Sequence, residues 1–244
     1  MLDAHKTLGI RYAVRSDTGL LRENNEDAAY AGARLLAVAD GLGGHAGGEV
    51  ASAAVIDALK PLDADLPAGE LLNALEHAVH QANESLQQIA ESDPSLRGLG
   101  STLTAMLWSG SQLALVHIGD SRAYLLRGGE LFQITHDHTL VQTLVDEGRI
   151  TLEEAASHPQ RSLLLRAIDG KQSEPDLQLH DAKAGDRYLL CSDGLYTVVT
   201  AEQLRQVLST VADPEDVVRQ LIDLANQGGG PDNITCVVAD VVEL

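Results

Sequence analysis

Short apolar runs recur along the chain at residues 10–14, 34–39, 102–108, 113–118, 123–126, 131–134, 186–191 and 234–242. Each is shorter than an ordinary helix and bounded by polar or turn residues, so each predicts a buried strand. Ser109, Gly110, Ser111 and Gln112 form a turn cluster between two of these runs and predict a hairpin. The same cluster interrupts residues 98–119, a stretch without Asp, Glu, Lys or Arg. That stretch therefore reads as two core strands and not as a membrane span.

Helical periodicity takes over elsewhere. Residues 49–59 turn Val50, Ala53, Ala54 and Val55 toward one face. Residues 69–89 repeat Leu71, Leu72, Leu75, Val79, Ala82, Leu86 and Ile89 with a period near 3.6. Thr151 with Glu154, and Thr200 with Gln203, have the spacing of a capping box. Asp213 followed by Pro214, Glu215 and Asp216 starts another helix, and Gly228, Gly229 and Gly230 end it. Strands and helices do not alternate strictly. The order predicts hairpin-built sheets with helices stacked outside. Residues 135–175 carry small helices and few strand signals, as an insertion or lid would. There is no internal repeat and no long linker.

Composition narrows the function. At about 150 residues per domain, 244 residues make one large domain or two small ones. Seventeen Lys and Arg against 36 Asp and Glu give a net charge of −19, which repels nucleic acid and acidic membranes. Aromatics at 3% are too few for base stacking. The two cysteines, Cys191 and Cys236, lie in apolar runs and cannot make a disulfide framework or a zinc cluster alone. The first residues lack an apolar signal region, so a reducing cytoplasm is expected.

The informative pattern is the placement of aspartate. The run 35–39 passes straight into Asp40 and Gly41, and 115–118 into Gly119 and Asp120. The run 188–192 ends on Asp193 and Gly194, and Asp232 precedes 234–238. A single Asp-Gly is most simply a turn. Four acids at the rims of buried strands, in a chain poor in Lys and Arg, call for a positive partner. A divalent cation with oxygen ligands, Mg²⁺ or Mn²⁺, suits them.

Two further clusters surround these acids. Arg22 stands near Glu26 and Asp27 in a polar segment and can clamp a phosphate, although a lone Arg there also fits a solvated loop. His45 lies in the glycine-rich link from Asp40 to Glu49; it can serve as a general acid or simply hydrogen-bond its loop. Gly41, Gly43 and Ala46 imitate a dinucleotide fingerprint, but Pro61 and a second helix follow where a parallel strand is needed. His136, Asp137 and His138 suggest a His-Asp metal phosphohydrolase, which needs further His and Asp on surrounding helices. The remaining alternative is a module that only binds phosphoproteins.

Taken in order, these residues resemble the metal-dependent protein phosphatases of the type 2C family, specifically compact bacterial serine/threonine phosphatases. The matching motifs are Arg22 with Asn25, Glu26 and Asp27; Asp40 and Gly41 through His45 to Glu49; Gly100 to Leu103; Gly119 to Arg122; Thr135 to His138; Leu190 to Leu195; and Asp232 to Thr235. They cover residues 10–242. Leu42 and Ser101 depart from the usual Met and Thr, and neither is a ligand position.

The resemblance implies the α+β class: a four-layer α-β-β-α sandwich of two antiparallel sheets flanked by helix pairs. It implies one phosphatase domain over 1–244, with a flap at roughly 135–175. Asp40 would bridge two Mn²⁺ or Mg²⁺ ions, with the Gly41 carbonyl, Asp193 and Asp232 completing the protein ligands. Asp120, sharing Asp193, matches a third metal position. Glu26 and Asp27 would hold water on the metals, Arg22 would bind the substrate phosphate, and His45 matches the general acid. The implied reaction is hydrolysis of phosphoserine or phosphothreonine through two-metal activation of a bridging water, without a phosphoenzyme. The implied partners are phosphorylated proteins and an opposing bacterial kinase, with the phosphatase itself monomeric. No Cys-x5-Arg signature competes, since Thr197 and Val242 stand six residues beyond the cysteines.

Overall fold

The computed structural model describes residues 8–43 and 47–244. The chain enters on β1 (Leu8–Asp17), β2 (Asp27–Ala31) and β3 (Leu35–Leu42), then forms α1 (Gly47–Leu59) and α2 (Leu71–Ser92). A short β4 (Gly100–Ser101) leads into β5 (Leu103–Ser109), β6 (Gln112–Ile118), β7 (Arg122–Arg127) and β8 (Glu130–Gln133). Two small helices follow, α3 (Leu140–Asp146) and α4 (Leu152–Ser157), then β9 (Asp176–Asp181) and β10 (Arg187–Cys191). The chain closes with α5 (Asp193–Tyr196), α6 (Ala201–Thr210), α7 (Pro214–Gln227) and β11 (Ile234–Glu243).

The strands form two sheets, ordered β1-β11-β10-β7-β8 and β2-β3-β5-β6-β9, with β4 attached to β3. Every described strand pairing is antiparallel. Three apolar layers hold the sandwich together. Leu75, Val79 and Leu86 of α2 pack with Val55 of α1 onto Leu35, Leu107 and Val116 of the second sheet. Leu36, Met106, Leu115, Tyr188 and Val237 fill the space between the sheets. Val217, Leu221 and Leu204 of α7 and α6 pack on Leu189 and Val238 of the first sheet. Alternation does this: Leu35 and Ala37 face the helices, while Leu36 and Val38 face the other sheet. This is the four-layer sandwich that the resemblance implied.

The punctuation is where the sequence put it. Thr151 and Glu154 close a capping box at α4, and Thr200 and Gln203 close one at α6. Asp213 caps α7 through the Glu215 amide with Pro214 in the first turn, and Gly228 ends that helix. Gly110 sits at φ +60° between β5 and β6. The C-terminal end of α6 is tied to the sheet by Arg187. Its guanidinium donates to the carbonyls of Leu208 (2.8 Å) and Ala212 (2.7 Å) and pairs with Asp240. Among the described residues, no helix is long and apolar enough to cross a membrane.

Candidate metal centre

The acids converge because the strand ends that carry them do. Asp27 at the start of β2 is the register partner of Asp40 at the end of β3. Cys191, which ends β10, pairs with Cys236 on β11 and with Arg122 on β7. Asp193, Asp232 and Asp120 are therefore delivered to the same end of the sandwich.

Asp27 is held by hydroxyls. Its Oδ2 accepts from Ser192 Oγ (2.7 Å) and Thr235 Oγ1 (2.6 Å). Thr235 is bonded to Ser16 (2.7 Å), Ser16 accepts from Asn25 Nδ2 (2.8 Å), and Asn25 Oδ1 accepts from the Asp27 amide (3.1 Å). This closed ring fixes one carboxylate oxygen and leaves Oδ1 buried with no partner. Burial first, then the charges of Asp193 and Asp232, push the Asp27 carboxyl up to about 6 against those hydrogen bonds.

Asp40 and Asp193 lie within hydrogen-bond reach of each other. Two carboxylates can share such a contact only around a proton or a cation. Burial, followed by Asp27, Asp193 and Asp120, raises the Asp40 carboxyl well above the usual range. Burial and the Asp232 charge raise Asp193, and burial and the Asp193 charge raise Asp120. Asp193 Oδ1 is a second buried oxygen without a partner. Asp232 is turned toward Arg22, whose Nη2 lies 3.0 Å from its Oδ2. Among the described residues, no three such side chains already close around one point.

These observations fit a hard divalent cation. The donors are oxygens, two of them are orphaned, and the mutual repulsion of buried carboxylates is what a cation would relieve. The backbone is tight enough to offer carbonyls as well. The Gly41 amide donates to the Glu26 carbonyl (3.0 Å), and a side chain on Gly41 would strike the Gly48 carbonyl. One on Gly48 would strike the Glu26 carboxylate, and one on Gly194 the Asn233 carbonyl. Asn233 staples the loop before β2: its Oδ1 accepts from the Glu26 amide (2.9 Å), and its Nδ2 donates to the carbonyls of Thr18 and Asn24 (2.9 Å each).

Beside the acids opens a cavity of about 540 Å³, lined by Asp120, Arg122, Asp193 and Tyr196 and by Val141 and Leu152 of the small helices. The cysteines take no part. Both are fully buried, and burial pushes the Cys191 thiol up to about 12, which leaves it inert.

The structure thus brings together Arg22, Glu26, Asp27, Asp40, Gly41, Asp120, Asp193 and Asp232. His45 lies outside the described residues. Sequence reasoning did not single out Ser192, Asn233, Thr235 or Tyr196 as site builders. Their hydroxyl and amide contacts span up to 215 positions (Asn233 to Thr18), which no local pattern reveals.

Two stacked antiparallel sheets thus gather these acids at one end. The family model for protein phosphatase 2C matches residues 22–228, and the chain belongs to that family. It is 60% identical over 240 residues to the serine/threonine protein phosphatase PstP of Mycobacterium tuberculosis, across 98% of this chain and 46% of that protein. The chain thus spans about half the length of that relative. The serine/threonine phosphatase stp of Listeria monocytogenes is 36% identical, over 93% of this chain and 94% of its own. The crystal structure of the M. tuberculosis phosphatase PstP superposes with a TM-score of 0.94 at 59% identity, covering 97% of this chain and all (100%) of that one. The PstP catalytic domain in complex with two manganese ions gives 0.92 at 57% identity, again over 97% of this chain and 100% of that one.

Proposed function

We propose that this chain is a metal-dependent serine/threonine protein phosphatase. The observation that carries the reading is the half-buried pair Asp40 and Asp193, each acid raised and Asp193 Oδ1 without a partner, at the rim that also holds Asp232 and Arg22. The family and the manganese complex of the similar PstP domain support it.

Asp40, the Gly41 carbonyl, Asp193 and Asp232 hold a pair of Mn²⁺ or Mg²⁺ ions, with Asp120 available to a third. Bound there, the cations supply Lewis-acid activation of water and neutralise charge on the phosphoryl group. Asp27 offers its free Oδ1 as a hydrogen-bond acceptor that orients water, and Glu26 does the same from the neighbouring loop. Arg22, about half exposed at 52%, swings from Asp232 to grip two phosphate oxygens. His45 is assigned the proton for the departing serine or threonine oxygen. Residues 1–244 act as one phosphatase domain, and 135–175 form its flap. Its substrates are phosphorylated proteins of a bacterial cytoplasm, where it opposes a serine/threonine kinase and works as a monomer.

The test is phosphate release from a phosphothreonine peptide. Turnover with Mn²⁺ that disappears in excess EDTA is expected. A folded sample that releases no phosphate in either condition would favour a module that only binds phosphoproteins.

A further inference from the structure

We propose that the adjacent residues Asp137 and His138 are positioning residues that brace both flanks of Asp120. They also tie that acid to the two ends of segment 139–164. The catalytic consequence of the brace rests on the phosphatase reading; the brace itself does not.

The upstream flank is Gly119. It sits at φ +107°, and a side chain there would meet Thr102 at 2.6 Å, so the turn admits only glycine. Its amide donates to His138 Nδ1 (3.1 Å), and its carbonyl accepts from the His138 amide (2.8 Å). Because Nδ1 accepts, the ring proton is on Nε2, which donates to Asp176 Oδ2 (2.9 Å). Arg166 Nη1 reaches the other oxygen of Asp176 (3.2 Å).

The downstream flank is Arg122. Asp137 takes its Nε (3.0 Å) and Nη2 (2.6 Å) in a two-pronged ion pair. The same guanidinium lies 3.6 Å over the Tyr196 ring, and the Tyr196 hydroxyl donates to the Asp120 carbonyl (2.6 Å). Asp137 and His138 are both buried. Two consecutive side chains therefore fix the residues immediately before and beyond Asp120 and Ser121.

The brace extends to the segment carrying α3 and α4. The His138 carbonyl accepts from the Leu165 amide (2.8 Å), and the Leu163 carbonyl accepts from the Leu140 amide (3.0 Å). Thr139 and Leu164 form an isolated bridge between these two bonds. Both ring nitrogens of His138 are engaged, which makes it a positioning group and not a ligand. Its replacement by a side chain without an acceptor at the Nδ1 place strands a buried Gly119 amide.

Two variants separate this role from general packing. Asn places an oxygen where Nδ1 stands; Gln reaches only the Nε2 place. Three readouts apply: amide hydrogen exchange at Gly119 and Asp120, Mn²⁺ titration by calorimetry, and kcat and KM on a phosphothreonine peptide. For His138→Gln we expect Gly119 exchange to accelerate and the Mn²⁺ requirement to rise by about 10- to 100-fold, the range seen in metal affinity when groups behind a metal ligand are lost. Peptide KM stays within about twofold, and His138→Asn retains Gly119 protection. Wild-type exchange and Mn²⁺ response in His138→Gln would overturn the proposal, as would equal damage from both substitutions. Should His138→Gln not fold, Asp137→Asn carries the same test from the other flank, with the Mn²⁺ titration as its readout and a wild-type Mn²⁺ response as the overturning result. A wild type that releases no phosphate defeats the phosphatase reading alone, since exchange and Mn²⁺ binding still decide the brace.

Discussion

Asp27 and Asp40 stand directly opposite each other on neighbouring antiparallel strands, as register partners of β2 and β3. Opposed like charges weaken a sheet. Asp193 makes the crowding worse by reaching Asp40 as well. The fold concentrates repulsion at one rim and stabilises it with hydroxyls from Ser192 and Thr235. A cation completes the arrangement.

Substituting these acids should separate activity from stability. Asp40→Asn and Asp193→Ala should each lower kcat by more than about 100-fold, because losing a direct ligand exceeds the loss of its supporting groups. The metal-free variants should melt at or above the wild-type temperature, since one of several crowded, repelling charges is gone. Steady-state kinetics beside calorimetric melts check both halves. Retained Mn²⁺-dependent turnover in Asp193→Ala would contradict the metal centre.

The same crowding fixes a pH dependence. Asp27 is raised from 3.8 to about 6, chiefly by burial. A raised acid keeps its proton in the folded state where the unfolded chain has lost it. Stability in EDTA should therefore fall as pH rises from about 4 to about 6, by on the order of 2–3 kcal/mol. Asp40, Asp120 and Asp193 are shifted the same way and add to the loss. Mn²⁺ should restore stability, and by more at pH 7 than at pH 5. Melting curves across this range, with and without metal, read it directly.

Arg22 is paired with Asp232 but half exposed, so its contribution should be to substrate binding. Arg22→Ala is expected to raise KM about tenfold with kcat within about threefold, and Arg22→Lys to recover only part, because Lys lacks the planar fork. A lowered kcat at unchanged KM would assign Arg22 to the transition state instead.

Gly41→Ala and Gly194→Ala should both be damaging, since each new methyl would meet a backbone carbonyl, of Gly48 and of Asn233, and not a flexible side chain. We expect a loss of more than about 2 kcal/mol by denaturant unfolding, in the range of backbone and overpacking defects. Gly69→Ala has open space around it and should change little.

The apolar run ending at Asp40 and the capping boxes at Thr151 and Thr200 were legible because they are local and strongly patterned. Strand β2 was not. Its sequence from Asp27 to Ala31 holds three alanines, with little strand preference, and it forms by pairing with β3. Strand β9 escaped for a similar reason: it is a sheet edge, and only Leu177 and Leu179 alternate with polar residues. The acids at strand ends could be picked out singly, yet their pairing could not. Whether Asp27 faces Asp40, or Arg22 reaches Asp232 across 210 positions, is decided by register and topology. His136, Asp137 and His138 drew notice as possible ligands; Asp137 and His138 serve Arg122 and Gly119.

The most direct test is anomalous diffraction from crystals of this chain soaked in Mn²⁺. Two manganese peaks are expected beside the Asp40 carboxylate, within reach of Asp193, Asp232 and the Gly41 carbonyl, with Arg22 released from Asp232. Manganese bound elsewhere, or no peak at this rim while Asp40 and Asp193 stay in contact, would contradict it.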